Sequence, residues 1–258
     1  ARFAPVTLNT LKGVNYDRIL QIWKERYANP GQFVYYFVGN FDEAALRPLI
    51  EKYIASLPKG KAENWKDVPG FAAGKIENRF TRKSETPKAI AFELWHAPMA
   101  YTVENSVLTD AAAQVLSMVY LKSIREDASA AYSVSAGGGL QRRGDKAVAI
   151  IQGYCPMDPN KSDLALKLLA EGMKDNTVKM DADKVQKVKD FMLKNAELSA
   201  KNNGHWMDIL DEYIWTGVDL QTGYKAAVEA LTPARLAAHL KQLVAAGNHA
   251  EVVMTPGK

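Results

Sequence analysis

Apolar positions fall on one helical face at Tyr16, Ile19, Leu20, Trp23 and Tyr27. Asn29-Pro30-Gly31 closes that helix before FVYYFV, an uninterrupted apolar run that predicts a buried strand. Gly39-Asn40 ends the strand, Asp42 is placed to cap the next helix, and Leu46, Leu49, Ile50, Tyr53 and Ile54 form its stripe. Periodicity is lost over LPKGKAENWKDVPGFAAG, which reads as a long crossing connection. Two strand patterns follow, KIENRFTR and KAIAFELWH, around the turn-rich Ser84-Glu85-Thr86-Pro87. VENSVLTDAAAQVLSMVYLKSIRED then carries an Ala/Leu/Val helical face, and AYSVSAGGGLQ with KAVAIIQGY predicts a β-hairpin around Arg142-Arg143-Gly144-Asp145.

The remainder is helical and well punctuated. Asp181 is the expected N-cap of one helix, with Met180 and Val185 as its hydrophobic staple, and Asn202-Asn203-Gly204 is expected to close that helix through a left-handed cap. Thr232 caps a later helix, with Pro233 as its first residue and Leu231 stapled to Leu236, and HAEVVM makes a final strand. Six strand candidates stand among two helices near the front, one in the middle and four toward the end. This order predicts an α/β (α+β) fold: a two-layer sandwich of a mixed, largely antiparallel sheet of about six strands, with helices packed on it. Residues 1–13 form no convincing element and read as a linker from an upstream domain, and residues 14–258 read as one domain.

Composition narrows the functions. Of 258 residues, 47% are hydrophobic, and 33 basic residues against 29 acidic ones leave a net charge of +4 with no dense basic run. That pattern offers no footprint for nucleic acid, and no window is long and apolar enough to span a membrane. The single cysteine, Cys155, cannot form an internal disulfide and has no adjacent base. His96, His205, His239 and His249 lack a second ligand at metal-binding spacing, so no metal site is expected within the chain. Gly137, Gly138 and Gly139 lead from strand to strand, unlike a phosphate loop, and serve close approach of backbone or a bend. Arg143-Gly144-Asp145 spells an adhesion tripeptide and reads as a polar hairpin tip.

Arg125 and Tyr132 stand seven residues apart, on either side of a joint of small residues between a helix and a strand. Arg125 has a packing explanation in the last carbonyls of its helix, and Tyr132 has one on the face shared by Val134 and Ala136. A chemical role is also open: the joint folds back, so a guanidinium and a phenol can converge on one point as donors to a carbonyl that becomes an oxyanion.

IREDASAAYSVSA resembles the R-E-x-x-x-x-A-Y-S-V segment of insulinase/pitrilysin-type zinc metallopeptidases, and YANPGQFVYYFVGNFDEAALRPLIEKYIASLP and ALTPARLAAHLKQL are similar to further parts of that family. The resemblance points to the C-terminal, non-zinc-binding domain. It implies that Arg125 and Tyr132 contact the substrate carbonyl and its tetrahedral intermediate. It further implies a zinc held by H-x-x-E-H in an upstream N-terminal half or a partner subunit, and a peptide substrate. No H-x-x-E-H occurs here: His96 is followed by APMA, His205 by WMDI, His239 by LKQL and His249 by AEVV. The segment alone is therefore expected to be inactive. Gly137, Gly138 and Gly139 are expected to meet substrate backbone by strand addition. Bacterial relatives imply the periplasm or cell envelope. The alternative within the family is a non-catalytic assembly subunit of the same fold.

Overall fold

Asn15 and Asp42 open the two main helices of the first part of the chain by accepting backbone N–H groups that would otherwise lack partners. Asn15 takes that of Arg18 at 2.8 Å and Asp42 that of Ala44 at 2.8 Å. In this computed structural model the described residues are 6–61, 64, 70–83, 87–143 and 146–257. The chain divides into two compact units, Ala1–Lys66 and Asp67–Lys258. The division falls within the stretch read from the sequence as a crossing connection inside one domain.

The first unit contains α1 (Leu8–Lys12), α2 (Tyr16–Tyr27) and α3 (Glu43–Tyr53). The helix α1 arises where no element was expected, through a reciprocal capping box between Thr7 and Thr10. The predicted buried strand FVYYFV is not formed. Residues 33–38 have no ladder, and Val34, Tyr35 and Phe37 are exposed. An apolar run becomes a buried strand only when flanking strands take its N–H and C=O groups. Among the described residues of this unit there is no strand to do so. Aromatic contacts stand in locally: Trp23 stacks on Tyr27 at 4.9 Å, and Tyr27 meets Phe33 edge-on at 5.4 Å.

The second unit is built on a five-stranded mixed sheet rather than six strands: β1 (Lys75–Lys83), β2 (Ala89–Pro98), β3 (Ser135–Arg143), β4 (Lys146–Met157) and β5 (His249–Gly257). Their spatial order is β1-β5-β2-β4-β3. Only β1 and β5 run parallel, and β3 and β4 form the predicted hairpin at one edge. Its turn residues Gly144 and Asp145 lie outside the described residues, as do Ser84-Glu85-Thr86.

Strand alternation supplies the helix-facing layer. In β2, Ala89, Ala91, Glu93, Trp95 and Ala97 are buried, whereas Ile90, Phe92 and Leu94 on the other face are only partly so. Against β3 and β4 packs α4 (Val103–Tyr120), whose Val107, Ala111, Ala112, Val115, Leu116 and Tyr120 are at most 1% exposed. Each large apolar side chain so buried contributes about 1.5–3 kcal/mol, and the alanines let the helix approach the strands closely. Around α4 pack α5 (Ser162–Asn176), α6 (Ala182–Ser199), α8 (Tyr224–Glu229) and α9 (Pro233–Ala245).

The residues of both predicted staples, Met180 with Val185 and Leu231 with Leu236, are buried beside helix caps at Asp181 and Thr232. The predicted left-handed closure at Gly204 does not. Asn202 instead opens α7 (Asn203–Thr216), its side chain accepting the Gly204 N–H at 2.8 Å. Asparagine serves both ends of helices, and here the local hydrogen bond favours a start. Four helices were expected toward the end, and the short α8 makes five.

His239 on α9 is buried, and its Nε2 shares a hydrogen bond of 2.9 Å with the Thr109 hydroxyl of α4. Burial lowers its pKa to about 4 from the ordinary value of 6.5. Between those values the unfolded chain binds a proton that the folded chain refuses, so stability falls as the pH is lowered across that window and is retained above it. Denaturant unfolding followed from pH 7 to pH 4 should show this loss in the native chain and a flatter profile in His239→Leu. Equal slopes for the two would refute the assignment.

Candidate functional site

The end of α4 places the first predicted residue. Leu121–Asp127 continues the helix as a π-turn, whose wider winding re-aims the side chains that follow it. Ile124 stays fully buried and anchors the turn, while the adjacent Arg125 faces solvent. The chain then turns back through Ala128, Ser129, Ala130 and Ala131, with Ser129 in the left-handed region at φ 48°.

Backbone ties hold this joint. The Ala130 N–H donates to Ile124 O at 2.8 Å, the Asp158 N–H donates to Ala130 O at 3.0 Å, and Ala131 forms an isolated bridge with Met157 at the end of β4. Ala130 and Ala131 are buried beneath it. A larger side chain at either position would have to displace that packing.

Tyr132 emerges from the joint 86% exposed, whereas Val134, two residues on, is buried. The packing explanation for Tyr132 therefore does not hold, because its ring leaves the face that Val134 occupies. The strand begins at Ser135, later than the sequence pattern indicated, since residues 132–134 have no neighbouring strand in register. The Arg125 guanidinium carbon lies 5.5 Å from the centroid of the Tyr132 ring. The two side chains converge as the seven-residue spacing allowed. They border a recess of about 660 Å³ also lined by Lys88, Ala130, Met157 and Asp158. At exposed positions a cation-π contact contributes about 0.5–1 kcal/mol, too little to justify exposing a tyrosine for stability.

Gly137, Gly138 and Gly139 lie farther along the same edge strand, β3, and they are not equivalent. A Cβ on Gly138 would meet Ala113 Cβ and Ile150 O, each at 2.9 Å, whereas one on Gly137 or Gly139 would meet nothing within 4 Å. Gly138 thus admits α4 to the sheet, and its two neighbours leave the other face bare.

The four histidines are dispersed. His96 Nε2 lies 3.1 Å from Ala72 O, His205 sits near the start of α7, and His249 stacks on Trp95 at 4.5 Å. Among the described residues no group of three or more His, Cys, Asp or Glu side chains is disposed to hold a metal ion. The described residues therefore do not fit a zinc ion. Cys155 is buried, and burial together with the nearby Glu93 pushes its thiol up to about 11, which leaves it protonated and unreactive at neutral pH. No helix among the described residues is long and apolar enough to cross a membrane.

Sequence reading missed Lys161, whose Nζ donates to the Ala128 and Ser129 carbonyls, and Lys88, which lines the recess. Neither carries a local signal. Lys161 reaches the joint only because β4 returns alongside it.

A layered α/β unit with an open glycine-bearing edge, two converging side chains and, among the described residues, no metal-ligand cluster has the build of a peptidase-like fold. The chain belongs to the family described as the peptidase M16 inactive domain, whose model matches residues 13–192. No curated relative matches. Among solved structures, the chain is similar to the ferredoxin protease FusC, in complex with Arabidopsis ferredoxin, with a TM-score of 0.78 at 17% identity over 100% of this chain and 28% of that one. It is similar to the periplasmic protease PqqL from Escherichia coli, with a TM-score of 0.66 at 20% identity over 85% of this chain and 25% of that one. A peptidase M16 inactive domain from Pseudomonas fluorescens gives a TM-score of 0.66 at 14% identity, over 98% and 59% of the two chains. These identities establish a shared fold, and the chain spans about a quarter of the length of FusC and of PqqL.

Proposed function

We propose that this chain is the substrate-binding C-terminal domain of a zinc-dependent metallopeptidase that hydrolyses peptides or small unfolded proteins. Zinc and H-x-x-E-H would be supplied by another domain or a partner subunit. The observation that carries the reading is the convergence of Arg125 and Tyr132 on one exposed recess, with the guanidinium 5.5 Å from the ring centroid. Both groups donate hydrogen bonds. Aimed at a substrate carbonyl, they would hold the bond in place and favour the negative oxygen that develops as it is attacked. One such donor is worth about 2.7–4 kcal/mol in a transition state.

The position of β3 supports a backbone-recognised substrate. It is the outermost strand of the sheet, and the bare surface at Gly137 and Gly139 gives an added peptide strand room for its side chains. FusC in complex with a ferredoxin supports a small-protein substrate class, and the periplasmic PqqL supports an envelope location. Both belong to the proposal.

The test uses the full-length protein and an unstructured reporter peptide. Hydrolysis should be lost on chelation and restored by zinc, and the 258-residue chain alone should show none. A metal-loaded full-length protein, with any partner subunit present, that leaves such peptides intact would instead mark an assembly role.

A further inference from the structure

We propose that Lys161 is a positioning residue for the Arg125–Tyr132 pair, its ammonium clamping the Ala128 and Ser129 carbonyls so that the joint keeps the shape that brings guanidinium and phenol together. The inference rests on the reading of that pair as substrate-carbonyl donors.

Lys161 Nζ donates to Ala128 O at 3.1 Å and to Ser129 O at 3.0 Å. Hydrogen bonds from an ammonium are stronger than neutral ones, and these carbonyls close a helical segment whose end carries partial negative charge. That alone would describe an ordinary helix closure. What distinguishes this one is the residue it holds. Ser129 is the sole non-glycine residue with positive φ among the described residues, a conformation that persists only where its surroundings impose it. The remaining ties act on its neighbours through the backbone: the Ala128 N–H donates to Ser123 O on one side, and Ala130 and Ala131 are held on the other. Lys161 is the side chain that grips Ser129 itself.

Ser129 stands between the two donors, four residues after Arg125 and three before Tyr132. A change in its dihedral angles therefore swings one donor relative to the other. Tyr132, at 86% exposure, has little packing to resist such a swing. Its direction is set by backbone shape and by the contact with Arg125.

Lys161 is itself fixed. It ends the turn Pro159–Lys161, which Asp158 caps by accepting the Asn160 N–H at 2.9 Å, and that turn leads directly into α5. The clamp therefore ties the site to the strand and helix beneath it, as a supporting group must if the donors are to be held ready.

The experiment places 3-fluorotyrosine at position 132 of the full-length protein and compares Lys161→Met with Lys161→Arg. In Lys161→Met the fluorine resonance should move and broaden, and kcat/KM should fall about tenfold, chiefly through kcat, with the melting temperature nearly unchanged. The arginine variant, which can still donate to both carbonyls, should restore the resonance and most of the rate. A resonance unmoved in Lys161→Met would overturn the positioning role. So would an equal loss in both variants. The underlying reading fails separately, if Arg125→Ala and Tyr132→Phe hydrolyse normally, and the fluorine signal still decides the question for Lys161 in that event.

Discussion

Tyr132→Phe in the full-length protein is expected to lower kcat/KM about 10²-fold, and Arg125→Ala by about 10²- to 10³-fold, with no loss of folded protein. The phenylalanine keeps the ring beside the guanidinium and removes only the hydroxyl, so it isolates the donor from the packing. Arginine carries a full charge and more than one N–H, so its loss should cost more. In the proposed role both groups serve one oxygen, so the double variant should fall short of the product of the single effects. Stability should change little, since Tyr132 is 86% exposed and an exposed cation-π contact is worth at most about 1 kcal/mol. Rates of peptide cleavage measured beside thermal unfolding check all of this. Normal cleavage in both single variants would remove these residues from the chemistry.

Gly138→Ala is expected to destabilise the second unit by about 1–3 kcal/mol, whereas Gly137→Ala and Gly139→Ala should be close to neutral in unfolding. The added methyl on Gly138 would press on Ala113 Cβ and Ile150 O at 2.9 Å and on Ile151 Cγ1 at 3.1 Å. The two nearest cannot yield by turning a flexible side chain: Ala113 Cβ is on the best-packed helix, and Ile150 O is backbone within the sheet. Relief requires α4 to lift, and α4 leads directly into the π-turn that carries Arg125. Gly138→Ala should accordingly reduce cleavage as well. At Gly137 and Gly139 the methyl enters open space, so any effect there should fall on peptide binding alone. Denaturant unfolding and KM for the three variants separate the cases, and equal destabilisation at all three would contradict this account of the edge.

Much of the second unit is legible in the sequence. The caps at Asp181 and Thr232, the β3–β4 hairpin and three further pairing strands are signalled by residues close together in sequence. Where reading failed, the deciding partner lay elsewhere. FVYYFV has the composition of a buried strand, yet no ladder forms at residues 33–38. Asn202-Asn203-Gly204 has the composition of a helix end, yet one side-chain hydrogen bond turns it into a start. The candidate site divides in the same way. Arg125 and Tyr132 were legible through their spacing and family resemblance, while Lys161 and the inequality of the three glycines were not.

By itself, then, the order of residues determined where helices start and strands alternate, and which two side chains could act as donors, because capping, staples and periodicity operate over a few neighbouring positions. Which strands lie side by side, that Tyr132 points outward while Val134 points in, that Gly138 faces α4, and that Lys161 reaches Ser129 were decided only by assembly of the sheet and its helices. Those features depend on hydrogen-bond register and packing between segments far apart in the chain, which no local pattern of residues encodes.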